Sequence, residues 1–384
     1  MSITHTRFPM GGIHHHNSPR QRIEQILDKA DIQVDGGRPW DIQVHDERFF
    51  ARVLTQGTLG LGESYMEGWW DCPHLDQMID RALRARLDTA IRTFGDLLAT
   101  LRAWVQNLQS PARAHVIGKR HYDIGNDLFK RMLDPRMIYS CGYWREAETL
   151  AEAQEAKLDL ICRKLGMEPG MKVLDIGCGW GGAARYAAEH YGVEVVGITV
   201  SGEQARLARE MCAGFPVEIR VEDYRQTQGR FDRIFSIGMF EHVGEKNYRT
   251  YLQHVHDLLA DDGLFLLHTI GGNVPVHKGD RWIERYIFPN SMLPSASQIT
   301  RAYEGLFVME DWHNFGPYYD RTLMAWHANF NRHWPEISER YGKRFFRMWN
   351  YYLLTNAGAF RARDSQLWQT VLSPHGVTGG YTRL

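Results

Sequence analysis

The sequence predicts an α/β protein, built on a mostly parallel sheet covered by helices on both faces, with a smaller N-terminal domain in front of it. Three observations carry this. Val173, Leu174 and Ile176 form a short apolar run, followed by the side-chain-poor turn Gly177-Cys178-Gly179-Trp180-Gly181-Gly182 and the helical stretch AARYAAEHY. Strand, glycine turn and helix in that order bring backbone against a ligand at the carboxyl edge of an open sheet. Downstream, VEVVGIT, VEIRVED, FDRIFSIGM and GLFLLHTI read as strands, and SGEQARLAREMC and KNYRTYLQHVHDLL as intervening helices; such alternation implies parallel pairing. Finally, 384 residues exceed one typical domain.

In chain order, His14, His15 and His16 lie in a Gly/Pro-flanked start that reads as a loose tail. Residues 18–30 predict a short helix with Ile23, Ile26 and Leu27 on one face. Extended pieces follow around Ile32–Val34 and Ile42–Val44, separated by the turn Asp35-Gly36-Gly37. The segment GTLGLGESYMEGWWDC is broken by glycines and predicts a packed loop with short helices. From Asp80 to Leu108 the pattern predicts a long amphipathic helix, or two in line. Leu87, Ile91, Phe94, Leu98, Leu101, Val105 and Leu108 share one face. Gln109-Ser110-Pro111 ends it, which gives a first domain over 1–110, a linker over 111–120 and a second domain over 121–384. The second domain opens with the helix in HYDIGNDLFKRM and the helix in EAETLAEAQEAKLDLICRKLG. After Gly271 the rhythm breaks into long aromatic helices and loops, expected to form a lid and further strands.

Composition excludes several classes. With a formal net charge of -1 the chain is not a globally basic nucleic-acid binder. Cys72, Cys141, Cys162, Cys178 and Cys212 contain no C-x-x-C pair. An odd, scattered set points to reduced thiols in the cytoplasm rather than to a disulfide framework or a zinc site. No secretory leader and no membrane-spanning apolar run is visible. Between 81 and 120 eight Lys and Arg, among them Arg84, Arg86, Arg92 and Lys119, face only Asp88 and Asp96. That excess suits either a solvated helix face or a surface drawn to anionic lipid headgroups.

The glycine turn alone would also serve a dinucleotide. A dinucleotide fold, however, wants an acid at the end of the next strand for the ribose, and this chain offers Gly197, Thr199, Ser201 and then Gln204. The D-x-G-x-G-x-G spelling from Asp175 to Gly181 resembles motif I of class I S-adenosylmethionine (SAM)-dependent methyltransferases. In that reading Gly177 and Gly179 allow close approach to the amino-acid end of SAM, and Asp175 orders the turn. Thr199 and Gln204 are neutral hydrogen-bonders at the ribose, and Asp223 and Tyr224 form the adenine edge. Cys178 has no group spaced to activate it and reads as a small filler.

A longer set of motifs is more specific. HYDIGNDLF, YSCGYW, VLDIGCGWGG, VGITVSGEQ, SIGMFEHVG, FLLHTI, YIFPN, DWHNFG and QLW together resemble the cyclopropane-fatty-acyl-phospholipid synthase family. The likeness runs from His121 onward, and GTLGLGESYMEGWWDC extends it into the first domain. Gly142 stands where the bacterial enzymes are expected to have Ala. The resemblance implies methyl transfer from SAM to a cis alkene of a phospholipid acyl chain, then loss of a proton and ring closure. It implies Tyr139 and Ser140 as cofactor contacts. It also implies a bound bicarbonate as base, held by Glu241, His268 and Tyr319 with main-chain N–H groups of Cys141 and Ile270. A homodimer and peripheral association with the inner face of the membrane are expected on the same ground.

These residues also make sense unaided. Glu241 follows a strand and His268 sits late in another, both towards the ligand-binding edge. A buried carboxylate is expensive without a purpose, whereas His268 also reads as a core histidine and Tyr319 as a packing aromatic. An alkene is an uncharged nucleophile, so the site has to orient it and exclude water rather than deprotonate it. The stretch RYGKRFFRMWNYYLL, 340–354, mixes cations and rings in a way that suits a membrane interface, an acyl tunnel, or a helix packing its aromatics inward. Two rivals stay open: a lipid C-methyltransferase giving methyl-branched or methylene products, and a non-catalytic lipid-binding protein that kept the fold.

Overall fold

The computed structural model describes residues 18–87 and 125–383. The tail histidines, the chain from Asp88 to Leu108, the Gln109–Pro111 boundary, the linker and the basic positions Arg92, Arg102, Arg113, Lys119 and Arg120 lie outside them.

The N-terminal part has α1 (Pro19–Asp28), β1 (Gln43–Val44), α2 (Arg48–Gln56), α3 (Thr58–Met66), β2 (Trp70–Asp71) and α4 (Leu75–Arg84). Ser18 starts α1 with a capping box to Gln21 and Pro19 in the first turn. Strands β1 and β2 pair antiparallel. The glycine-broken segment is largely helical. Gly60 and Gly62 in α3 serve close packing rather than breakage: a Cβ on Gly60 would lie 2.6 Å from the Arg52 carbonyl oxygen, and one on Gly62 2.3 Å from the Trp282 ring. Helix α4 starts five residues before the expected Asp80 and stops at Arg84, because Arg86 turns left-handed at φ 56°.

The second part continues with α5 (Asn126–Met132), α6 (Leu150–Lys164), β3 (Lys172–Ile176), α7 (Gly182–Tyr191), β4 (Glu194–Thr199), α8 (Gly202–Met211), β5 (Val217–Val221) and β6 (Phe231–Ile237). After these come α9 (Tyr248–Leu258), β7 (Leu259–Gly272), α10 (Arg281–Tyr286), α11 (Ala296–Tyr303), β8 (Val308–Asn314), the helical stretch α12 (Pro317–Arg361) and β9 (Ser365–Ser373). Among the described residues the main sheet runs β5-β4-β3-β6-β7-β9-β8. Its first five strands are parallel. Strand β9 lies antiparallel between β7 and β8. The expected mostly parallel α/β sheet is what forms.

Alternation along the strands sorts the core into two faces. Leu174, Ile176, Phe265 and Leu267 pack with Tyr248, Leu252 and Ile299 of α9 and α11. Val173, Phe235, Leu264 and Leu266 pack on the other face with Leu158, Ile161, Ala184 and Ala187 of α6 and α7. By the same period Asp175 and His268 point to the α6 side.

Helix α12 is two helices. Gly342 takes φ 73°, which breaks the helical run, and the arms fold back on each other. Asp320 pairs with Arg361 at 2.9 Å, Asn331 bonds Asn350 at 3.0 Å, and the Phe330 and Phe346 rings stack at 5.7 Å. The hairpin shares one hydrophobic cluster with the N-terminal helices: Phe49, Phe50, Trp70 and Leu75 join Trp326, Trp349, Tyr351 and Phe360. Much of the 340–354 stretch is therefore spent internally. Trp349, Tyr351 and Tyr352 are buried, and Arg347 sits over the Tyr65 ring at 4.2 Å while pairing with Asp71 at 2.7 Å.

Because the Trp282 indole is fully buried against Gly62 and cannot rotate away, Gly62→Ala should cost about 1–3 kcal/mol of stability, the usual range for overpacking. Urea unfolding checks this, with a lower midpoint and an unchanged slope as the expected result.

Candidate active site

The turn after β3 is shaped by backbone geometry that favours glycine. Gly177, Gly179 and Gly181 have φ of 87°, 53° and 82°. The N–H groups of Gly177 and Cys178 both donate to the Ile198 carbonyl, at 3.0 and 2.9 Å, and tie the turn to β4. A Cβ on Gly179 would meet nothing within 4 Å, so this glycine leaves open space above it.

That space belongs to a cavity of about 200 Å³ at the carboxyl edge of β3, β4 and β6. All the residues expected at the cofactor border it: Tyr139, Ser140, Asp175, Gly177, Gly179, Thr199, Gln204, Asp223 and Tyr224. Thr199 Oγ1 donates to Gln204 Oε1 at 3.0 Å, and Ser201 Oγ accepts from the Gln204 N–H at the start of α8. Asp223 Oδ1 accepts from Arg225 Nε at 2.7 Å, and the Tyr224 ring meets Tyr251 edge-on at 5.0 Å. Asp175 is buried, its Oδ2 has no hydrogen-bond partner among the described residues, and burial pushes its pKa up to about 8 against the pull of Lys157. Burial drives the Cys178 thiol well above its ordinary value, which suits a filler and not a nucleophile.

The cavity also has walls that the sequence reading passed over. His242 borders it, burial lowers the imidazole to about 4, and Nδ1 has no partner among the described residues. Lys157 borders it as well. The available signal for Lys157 was spacing: it stands four residues from both Ala153 and Ile161 on the buried face of α6. Pro289 contributes from the YIFPN segment. The preceding α10 is held by the N-terminal part, where Glu63 accepts from the Tyr286 hydroxyl at 2.8 Å and pairs with Arg285 at 3.0 Å.

Glu241, His268, Tyr319, Cys141 and Ile270 do not border this cavity; they gather around the end of β7. Glu241 lies in a short turn after β6, and its Oε1 accepts from the Ile270 N–H at 2.7 Å. The Ile270 amide, expected to face a bound anion, is thus directed at Glu241. Glu241 Oε2 is buried and unpartnered among the described residues, and burial raises the carboxyl to about 7. His268 stands in register with Gln369 of β9, whose Nε2 lies 3.3 Å from its Nδ1. With the amide as donor, assigned by its chemistry, the ring proton falls on the unpartnered Nε2. Burial and the charges of Lys157 and Lys164 push His268 well below its usual value, so the ring is neutral. Tyr319, in the first turn of α12, packs on Phe360 at 4.5 Å, and burial holds its hydroxyl protonated, with Glu241 and Cys141 close enough to add to the effect. The Cys141 thiol is buried and donates to the Gly142 carbonyl at 3.2 Å. Gly142 itself lies against α6, where a Cβ would come 2.9 Å from that of Ala153.

A glycine turn under an open cavity, an orphaned buried Asp175 oxygen beside it and hydrogen-bonders at the ends of β4 and β5 fit SAM. The sheet and this edge define the class I SAM-dependent methyltransferase fold. Coclaurine N-methyltransferase, solved with N-methylheliamine and SAH, shares that fold with a TM-score of 0.68 at 22% identity, over 82% of this chain and 98% of that one. Residues 109–370 match the model of the family described as mycolic acid cyclopropane synthetase, and the chain belongs to that family. It is 55% identical over 357 residues to the cyclopropane-fatty-acyl-phospholipid synthase of Escherichia coli (strain K12), covering 93% of each. It is 32% identical to the Mycobacterium tuberculosis cyclopropane synthase MmaA2, whose structure covers 67% of this chain and 97% of its own with a TM-score of 0.64.

Two outcomes follow from this geometry. Gly179→Val should abolish SAM binding in a folded protein, because the isopropyl group enters the open space while the positive φ costs the fold only on the order of 1–3 kcal/mol; calorimetric titration checks it. Glu241 is raised from 4.5 to about 7, so its burial penalises the folded state at high pH and not below the unfolded value. Glu241→Gln should therefore gain stability, up to roughly 3 kcal/mol, above neutral pH and little in acid. Chemical denaturation at the two pH extremes reads the difference.

Proposed function

We propose that this protein transfers the methyl group of SAM to the cis double bond of an unsaturated phospholipid acyl chain and closes the product to a cyclopropane. The observation that carries the reading is the pair of sites on one sheet edge. A cofactor cavity stands beside a second, dry group of carboxyl, imidazole and phenol, and neither holds an activated nucleophile. SAM supplies an electrophilic methyl group. Around it Gly177 and Gly179 give backbone access, Tyr139, Ser140 and Asp175 hold the amino-acid end, Thr199 and Gln204 the ribose, and Asp223 and Tyr224 the adenine.

A bicarbonate ion supplies the base for ring closure. Glu241 Oε2 accepts the proton such an anion carries, and His268 Nε2 and the Tyr319 hydroxyl donate to its oxygens, with the Cys141 main-chain N–H completing the cradle while the Ile270 N–H holds Glu241 Oε1 at 2.7 Å. The orphaned atoms of Glu241 and His268 support a small polar occupant there. Keeping the carboxylate one layer away from the reacting carbon protects Glu241 from alkylation by the cation it helps to deprotonate.

The division we propose is a lipid- and membrane-binding part over 1–110, a linker over 111–120 and a catalytic part over 121–384, acting as a homodimer at the inner face of the membrane. Among the described residues no helix is long and apolar enough to cross a membrane. Of the basic run, Arg81 already pairs with Asp31 at 3.2 Å and Arg84 with Asp80 at 2.8 Å.

Incubation with SAM and vesicles of a cis-unsaturated phospholipid should release S-adenosylhomocysteine and yield fatty acids heavier by one CH₂ that show ring protons by NMR. A methyl branch or methylene in place of the ring would overturn cyclopropanation, and absence of S-adenosylhomocysteine would overturn the enzyme reading. In carbonate-depleted buffer His268→Gln and Tyr319→Phe should each lose on the order of 10²-fold in kcat and recover in part on added bicarbonate, with SAM affinity unchanged. Binding to anionic vesicles should weaken as salt rises; sedimentation of the protein with vesicles measures it.

A further inference from the structure

Lys157 is fully buried on α6, the helix that covers the face towards which Asp175 and His268 point. Its Nζ donates to Ser140 Oγ at 2.9 Å, and Gln154, one turn earlier, donates from Nε2 to the Ser140 carbonyl at 2.7 Å. An ammonium has three donors, and no carboxylate among the described residues reaches Lys157 within ion-pair distance. Lys164 on the same helix shows the contrast, pairing with Asp311 at 2.8 Å. Lys157 and Asp175 both border the cavity yet expose at most 1% of their surface, so Lys157 meets a bound ligand only through its neighbours. Position 157 falls between Ala153 and Ile161 on an apolar face, where a hydrocarbon would pack without the cost of burying a charge.

We infer that Lys157 is a positioning residue for the cofactor, fixing the Ser140 hydroxyl by a hydrogen bond and acting through space as the counter-charge of the Asp175 carboxylate. This rests on the cavity being the SAM site. The groups that face Lys157 are Asp134, Cys141, Asp175 and, from β7, His268. Those that face Asp175 are Lys157, Cys178, Cys212 and Tyr251. Burial pushes the Asp175 carboxyl up and the Lys157 ammonium down to about 8, and each charge opposes the shift of the other. Affinity for SAM therefore rises with pH as Asp175 ionises, and the Lys157 ammonium brings that rise to lower pH. Without Lys157 the carboxylate forms only at higher pH.

The test is calorimetric titration of S-adenosylhomocysteine into the full chain across neutral pH, with circular dichroism melting of each variant. Lys157→Met should bind about tenfold more weakly at neutral pH or worse, one pKa unit being a factor of ten. Its rising limb should shift to higher pH, a change that a merely structural role would not produce. Asp175→Asn should flatten the rising limb, and adding Lys157→Met to it should cost less than in the wild type, because no carboxylate is left to balance. Ser140→Ala should weaken binding without moving the rising limb, and it tests the hydroxyl half if Lys157→Met does not fold. An unmoved pH profile in folded Lys157→Met, additive losses in the double variant, or full affinity in Ser140→Ala would overturn the inference. Failure of the wild type to bind would instead overturn the cofactor reading.

Discussion

Dry burial of ionisable groups at the carboxyl edge of the sheet is the constraint on which the rest of this structure depends. Lys157, Asp175, Glu241 and His268 are each buried, and each would lose several kcal/mol there without compensation. Parallel strands covered on both faces make that edge dry. Helix α6 seals one side, and the α12 hairpin, anchored on the N-terminal helices, presents Tyr319 from its first turn. The protein meets the cost by neutralising some groups and leaving others incomplete. His268 is held neutral, and Glu241 rises towards neutral pH. Where burial is only architectural, as for Lys164 and Asp311, the charges pair directly. At Asp175, Glu241, His242 and His268 a side-chain oxygen or nitrogen has no partner among the described residues.

The division of labour between Glu241 and His242 shows how finely local geometry sorts these roles. They are adjacent in one short turn, yet Glu241 reaches Ile270 at the end of β7 while His242 borders the cofactor cavity. A turn of three residues thus joins the two groups.

Much of this was legible in the residues. Strand period and positive-φ glycines are local signals, so β3 to β7 and the turn at Gly177 were readable, and so were the cavity residues around the ends of β3, β4 and β5, whereas Tyr139 and Ser140, in the loop before α6, rested on the family resemblance. Long-range pairing was not. Nothing local to Ser365–Ser373 says that it enters between β7 and β8, and nothing near Tyr65 says that it will pack on Tyr351. Gly62 of α3 read as a breaker because the indole it accommodates lies more than two hundred residues away. The cations and rings of 340–354 are ambiguous for the same reason, since their use depends on Tyr65 and Asp71. Lys157 was hidden by its own letter, a lysine in an amphipathic helix being solvated by default.

The central place of β9 has a consequence for synthesis. All nine of its residues are buried, and it supplies the hydrogen-bonding partner of both β7 and β8. Until the ribosome has delivered residues 365–373, β7 keeps an open edge of apolar strand, Phe265 to Ile270, and β8 has no neighbour at all. The nascent chain must hold a long unpaired edge in an aggregation-prone state through the translation of the whole hairpin. Growth conditions that slow elongation over 317–361 will therefore lower the yield of folded protein without altering a single contact in the finished one.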